Sequence, residues 1–170
     1  MTPHNDPSLA LLLAATLPGY NVGWPLGVDN LTIVSIGTGS YRERCSVEEL
    51  RRASAVGIAL RSLVQQIADN QQLTLTLMSW LGKGGPRWLI NSEIGDLSNV
   101  EPPFGALFRF LRYDVKLEAD WLGDTLGVTV SPRDIVRLRR FDDPQTMPLL
   151  DDLGRRAAKL QVSAADLAAA

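Results

Sequence analysis

The six residues Leu31-Thr32-Ile33-Val34-Ser35-Ile36, followed at once by Gly37-Thr38-Gly39-Ser40, constrain this chain more than any other stretch. Apolar side chains occupy nearly every position instead of alternate ones, a pattern that suits a strand covered by helices on both faces of a parallel sheet. The run therefore predicts a central parallel strand and, with it, an α/β architecture. The glycines after it predict a tight turn at the carboxyl end of the strand. In open α/β sheets that edge is where ligands bind, so Gly37, Thr38 and Gly39 are expected to border a cleft.

Helical patterns flank the strand. Asp6 to Leu17 reads as a buried Leu/Ala helix, started by Asn5 or Asp6 with Pro7 in the first turn and stopped by Pro18-Gly19. Tyr20 to Asn30 reads as a loop. Ser46 starts a helix with Glu48 and Glu49 in its first turn and an apolar stripe through Val47, Leu50, Ala53, Val56, Leu60, Leu63 and Ile67. Leu73 to Leu77 alternates like a strand, yet Leu73, Leu77, Trp80 and Leu81 also fit one helical face. Gly82 to Gly85 with Pro86 interrupts whichever element that is.

Arg87 to Pro103 reads mostly as loop, with an extended piece at Trp88 to Ile90, and Leu107 to Tyr113 as the second strand. Beyond it the chain turns helical. One helix runs from Glu118 to Leu126 and is closed by Gly127; Ser131-Pro132 starts another that reaches about Arg140; Asp143-Pro144 starts the last. The alanine-rich tail 163–170 is expected to fray.

Composition excludes some functions. A 170-residue chain that is 45% apolar can bury a real core. Its net charge of −2 and pI near 5.4 give no general attraction to phosphate backbones, so no nucleic-acid partner is expected. No stretch is long and apolar enough for a transmembrane segment. Cys45 is the only cysteine, which rules out an internal disulfide and a cysteine-built zinc site and fits a reducing, cytoplasmic setting.

Candidate chemistry is sparse. His4 is the only histidine and has no evident ligand or triad partner nearby in sequence. Gly37-Thr38-Gly39-Ser40 follows a strand as a phosphate cradle would, but the third glycine of Gly-x-Gly-x-x-Gly is missing, and a plain turn is the simpler reading. Asp142-Asp143 and Asp151-Asp152 lack the spaced oxygens and the glycine of a calcium loop. No metal and no cofactor are expected.

Five segments together resemble the C-terminal part of a patatin-like lipid acyl hydrolase. Thr2-Pro3-His4-Asn5-Asp6-Pro7 is similar to the stretch that follows that family's Asp-Gly-Gly or Asp-Gly-Ala motif, and Ser35-Ile36-Gly37-Thr38-Gly39 to its strand end. Trp88 to Leu97 is similar to its Trp-Ile-Asp-x-Glu-Ile-Gly-Asp-Leu segment, and Leu107 to Val115 to its Phe-Arg-Tyr-Asn/Asp-Val strand. Met147 to Gly154 resembles the terminal helix. The resemblance favours helix over strand at Leu73 to Leu77.

It implies a partial three-layer α/β/α domain over residues 1–162, with few parallel strands and a helical C-terminal cover. It further implies hydrolysis of phospholipid or other acyl esters by a serine and an aspartate in the complete protein. Neither residue can be carried over: the chain contains no Gly-x-Ser-x-Gly and no Asp-Gly dipeptide, so the nucleophile, the oxyanion loop and the catalytic aspartate are all expected upstream of Met1. No catalytic residue is assigned, and the chain alone is expected to be inactive.

Thr2, His4 and Asn5 are expected to line the cleft with Gly37, Thr38 and Gly39, and Trp24 to form the lip of an acyl-chain groove. A central strand with so few neighbours is expected to cause self-association or pairing with the missing N-terminal half. The alternative is a non-catalytic binding or regulatory module that keeps half of the fold and pairs with another chain.

Overall fold

A computed structural model describes residues 6–41, 46–86, 88–140 and 142–168. The elements are α1 (Ser8–Thr16), β1 (Thr32–Ile36), α2 (Val47–Arg52), α3 (Ala55–Leu81), β2 (Gly82–Lys83), β3 (Phe108–Tyr113), α4 (Ala119–Leu126), α5 (Pro132–Leu138), α6 (Met147–Gln161) and α7 (Ala164–Ala168). Short 3₁₀ turns occupy Pro18–Tyr20 and Pro144–Thr146. The mixed α/β class is as expected.

The strands form one small parallel sheet in the order β1-β3-β2. This corrects one expectation: β3, not β1, is the central strand. Every residue of β3 but Arg109 is buried, whereas Val34 and Ile36 of β1 are 42% and 76% exposed. A continuous apolar run reports a strand's preference for burial, but which neighbours are present to bury it depends on residues far away in sequence.

Chain contacts divide the molecule into two compact units. The first comprises Met1–Ser35, Cys45–Leu111 and Asp166–Ala170, the second Ile36–Arg44 and Arg112–Ala165. Each has its own core. In the first, Leu12 of α1, Ile33 of β1, Leu75 and Met78 of α3, and Phe108 and Phe110 of β3 pack together. In the second, Leu117, Leu122, Val130, Ile135, Leu138 and Leu153 bring α4, α5 and α6 together.

Local chemistry explains most boundaries. Pro7 precedes α1, and the Asp6 carboxylate accepts from Ser8 N at 3.0 Å, meeting an amide that the first turn leaves without a helical partner. The helix expected from Ser46 is instead two helices. Ser54 breaks the run because its hydroxyl accepts from Gly57 N at 3.1 Å and starts α3 afresh. From there α3 runs unbroken through Leu81, which settles Leu73 to Leu77 as helix.

The first part of the expected apolar stripe faces water: Val56 is 70% exposed. The side chains of Leu50, Leu60 and Leu63 lie outside the described residues.

Strand β2 was not foreseen, because Gly-Lys-Gly-Gly reads as a break. Its Gly82 pairs with Phe108, and a Cβ on it would lie 2.6 Å from the Phe108 ring and 2.8 Å from Phe110 Cβ. Only a glycine lets the strands come that close. In the second unit Gly127 closes α4 in the left-handed region at φ 64°; its amide donates to Gly123 O at 3.1 Å, the single bond of an αL ending. At the start of α5 Ser131 Oγ accepts from Asp134 N at 3.2 Å and donates to Asp134 Oδ2 at 2.7 Å, capping the helix.

Candidate functional site

The glycine turn of the second unit, Gly37 to Ser40, is held by hydrogen bonds at both ends. Gly37 N donates to Tyr113 O at 2.8 Å, and Ser40 N donates to Val115 O at 2.8 Å, so the turn is held at one end by the last residue of β3 and at the other by the chain just after it. Between them Gly39 N donates to Asp114 Oδ1 at 3.0 Å. The same carboxylate accepts from Val115 N at 2.9 Å and, through Oδ2, from Arg112 Nη2 at 2.7 Å.

This carboxylate is almost wholly enclosed. The side chain of Asp114 is 1% exposed and that of Arg112 7%. Gln161 of α6 brackets the backbone of the same residue, accepting from Asp114 N at 3.1 Å and donating to Asp114 O at 2.8 Å. Gly37, Thr38 and Gly39 also line a small cavity of about 150 Å³ with Leu117, Leu153 and Gly154.

The arrangement decides what the turn can do. A strand end followed by glycines can offer its amides to a phosphate. Here the amide of Gly39 is already given to an internal anion, and that anion carries its own arginine. The turn is therefore an anchored strand end, and a free phosphate would have to displace Asp114. We expect Gly37→Ala to be strongly disruptive, because a Cβ there would lie 2.1 Å from the Asp114 carboxyl carbon. Relieving that overlap should cost about 2–3 kcal/mol, read as a lower urea midpoint at unchanged slope.

Arg112 and Asp114 were not foreseen as a pair, although a signal was present. Two opposite charges two residues apart lie on one face of an extended chain, and both sit in or next to an otherwise apolar strand.

The first unit holds a groove of about 300 Å³. It runs between α1 and β1 and is lined by Leu11, Ala15, Val22, Trp24, Ile33 and Val34 among others. Trp24 N donates to Ala15 O at 2.8 Å, which fixes the loop against the helix, and the Trp24 side chain stays 57% exposed. The groove can take an apolar group but offers few polar atoms to orient one.

At the start of α1 lies a third cluster, in which Asp6, Ser8 and Ser35 are all buried. The Ser8 hydroxyl donates to Asp6 Oδ1, and Ser35 Oγ stands 3.5 Å from Asp6 Oδ2. A serine beside a carboxylate invites a nucleophile reading, but with Ser35 buried an ester has no approach to its hydroxyl. The cluster is a helix cap that also reaches β1.

Thr2, His4 and Asn5 lie outside the described residues. Of the remaining expected site residues, Gly37, Thr38 and Gly39 share one cavity of the second unit, while Trp24 lines the groove of the first. The acidic pairs are engaged by arginines: Asp142 by Arg140, Asp143 by Arg137, Asp151 by Arg155 and Asp152 by Arg156. The hydrogen bonds from Arg140 and Arg137 hold the Asp142 and Asp143 carboxyls below their ordinary range. Comparison with protein-family models, with curated proteins and with solved structures gives no match.

Proposed function

We propose that this chain is the C-terminal part of a patatin-like lipid acyl hydrolase, contributing an apolar wall to a site whose serine, oxyanion loop and aspartate come from residues N-terminal to it. The observation that carries the reading is the order of the five sequence segments, which the groove beside β1 complements. At about 300 Å³ its volume lies at the small end of ligand pockets, and its lining suits a hydrocarbon chain better than a head group. The complete protein would hydrolyse an acyl ester without metal or organic cofactor. Apolar surface left exposed on β1 would be met by the rest of such a domain or by self-association.

Hydrolysis of a chromogenic short-chain ester tests this directly. The chain alone should be inactive, and a version extended upstream through an in-frame Gly-x-Ser-x-Gly should be active. Activity in neither would overturn the reading in favour of a non-catalytic module. Activity in the short chain would show that it holds a nucleophile of its own.

The groove has its own test in the extended protein. Removing the indole with Trp24→Ala should weaken binding of a fluorescent fatty-acid probe by about tenfold or more, on the scale of one lost large apolar contact. Unchanged affinity would place the acyl chain elsewhere.

A further inference from the structure

We propose that the free edge of β1 is the contact of a homodimer, in which β1 of one copy runs antiparallel to β1 of a second about a two-fold axis through Val34. Hydrogen bonds at the two ends of β1 decide which backbone groups are free. Leu31 O accepts from Arg109 N and Gly37 N donates to Tyr113 O, both at 2.8 Å. Odd-numbered residues of the strand therefore turn their N–H and C=O toward β3. Thr32, Val34 and Ile36 turn theirs to the opposite edge, where the described residues supply no further strand.

A row of unpaired backbone donors and acceptors is a template for another extended chain. The sequence of β1 favours a second copy as that chain. Thr-Ile-Val-Ser-Ile carries no charge and no proline, the usual means by which an edge repels its own kind. Placed on a two-fold axis, Val34 exchanges both hydrogen bonds with Val34 of the second copy, and Thr32 does so with Ile36. The contact is isologous and closes on itself, so it ends at two chains.

Sheet size argues the same way. Three strands, one of them two residues long, become six in the order β2-β3-β1-β1-β3-β2, a common size for a sheet. The half-exposed Val34 lines a groove with Thr32, Leu11 and Trp24, apolar surface that a second copy on β1 would help shield from water. None of this depends on the hydrolase reading, and the experiment uses no substrate.

Light scattering coupled to size exclusion on the full chain should give twice the 18.6 kDa mass. Val34→Lys should return the mass to one chain while the far-ultraviolet circular dichroism stays unchanged, because two lysines would meet on the axis. Val34→Cys in a Cys45→Ser background should cross-link on mild oxidation, since hydrogen-bonded antiparallel partners stand about 5.5 Å apart, within disulfide reach. Val136→Cys, exposed on α5, is the control and should cross-link at least tenfold less.

A single-chain mass for the unmodified protein would overturn the proposal. So would a dimer that survives Val34→Lys, or cross-linking of Val34→Cys no greater than the control. Should Val34→Lys fail to fold, the cysteine experiment decides alone.

Discussion

Asp114→Ala is expected to cost about 3–5 kcal/mol, the scale for removing one member of a buried ion pair. The loss has three sources in the structure. Arg112 keeps its charge inside the protein without the carboxylate opposite it, and the amides of Gly39 and Val115 lose their acceptor. Each such amide, if it stays buried, adds a desolvation cost of its own. Against a total stability of about 5–15 kcal/mol, that is enough to threaten folding of the second unit.

Urea unfolding followed by fluorescence, with Trp121 of α4 as the reporter in that unit, measures it. A loss below about 1 kcal/mol would mean that water reaches the pair. Because Gly37 abuts the same carboxylate, Gly37→Ala and Asp114→Ala should be far from additive when combined, most of the damage being common to both.

The matching experiment in the first unit is Phe108→Ala, for which we expect a loss of about 3–5 kcal/mol. Phe108 is fully buried, its ring meets Phe110 edge to face at 6.5 Å, and it fills the space that the missing side chain of Gly82 leaves open. With strands on a fixed register and Met78 fully buried in the same core, the walls have little freedom to close the cavity. Unfolding of this variant should leave the ellipticity contributed by α4 to α6 less affected than that of α3. A loss under about 1.5 kcal/mol would show that the sheet collapses onto the gap.

The sequence was most informative where the cause of structure is local. Gly127, Ser131-Pro132 and Pro18-Gly19 act through their own backbone angles and immediate neighbours, and the boundaries they imply match the helices found. Ser54 acts locally as well, but its signal was hidden inside a longer apolar periodicity. Where the cause is distant, pattern alone was insufficient. Whether β1 or β3 is central depends on which strands exist elsewhere, and β2 exists only because Gly82 lets β3 come close.

The same distinction holds for the sites. Trp24 stood out by its place in the loop between the first helix and the strand, and the groove beside it is built from residues close in sequence. Asp114 did not stand out, since a carboxylate after a strand usually faces water; its burial is caused by Arg112, Gly39 and Gln161 together. No short window contains all four.

The bond from Gly39 to Asp114 joins residues 75 positions apart. At about 5–20 residues per second, a ribosome needs about 4–15 seconds to deliver the acceptor after the donor has been made. Throughout that interval the nascent chain carries Thr-Ile-Val-Ser-Ile without β3 beside it and without its end anchored. This is the period in which a chaperone at the ribosomal exit would find its binding segment, and slowing translation between Gly39 and Asp114 should lower the soluble yield more than slowing it anywhere after Asp114.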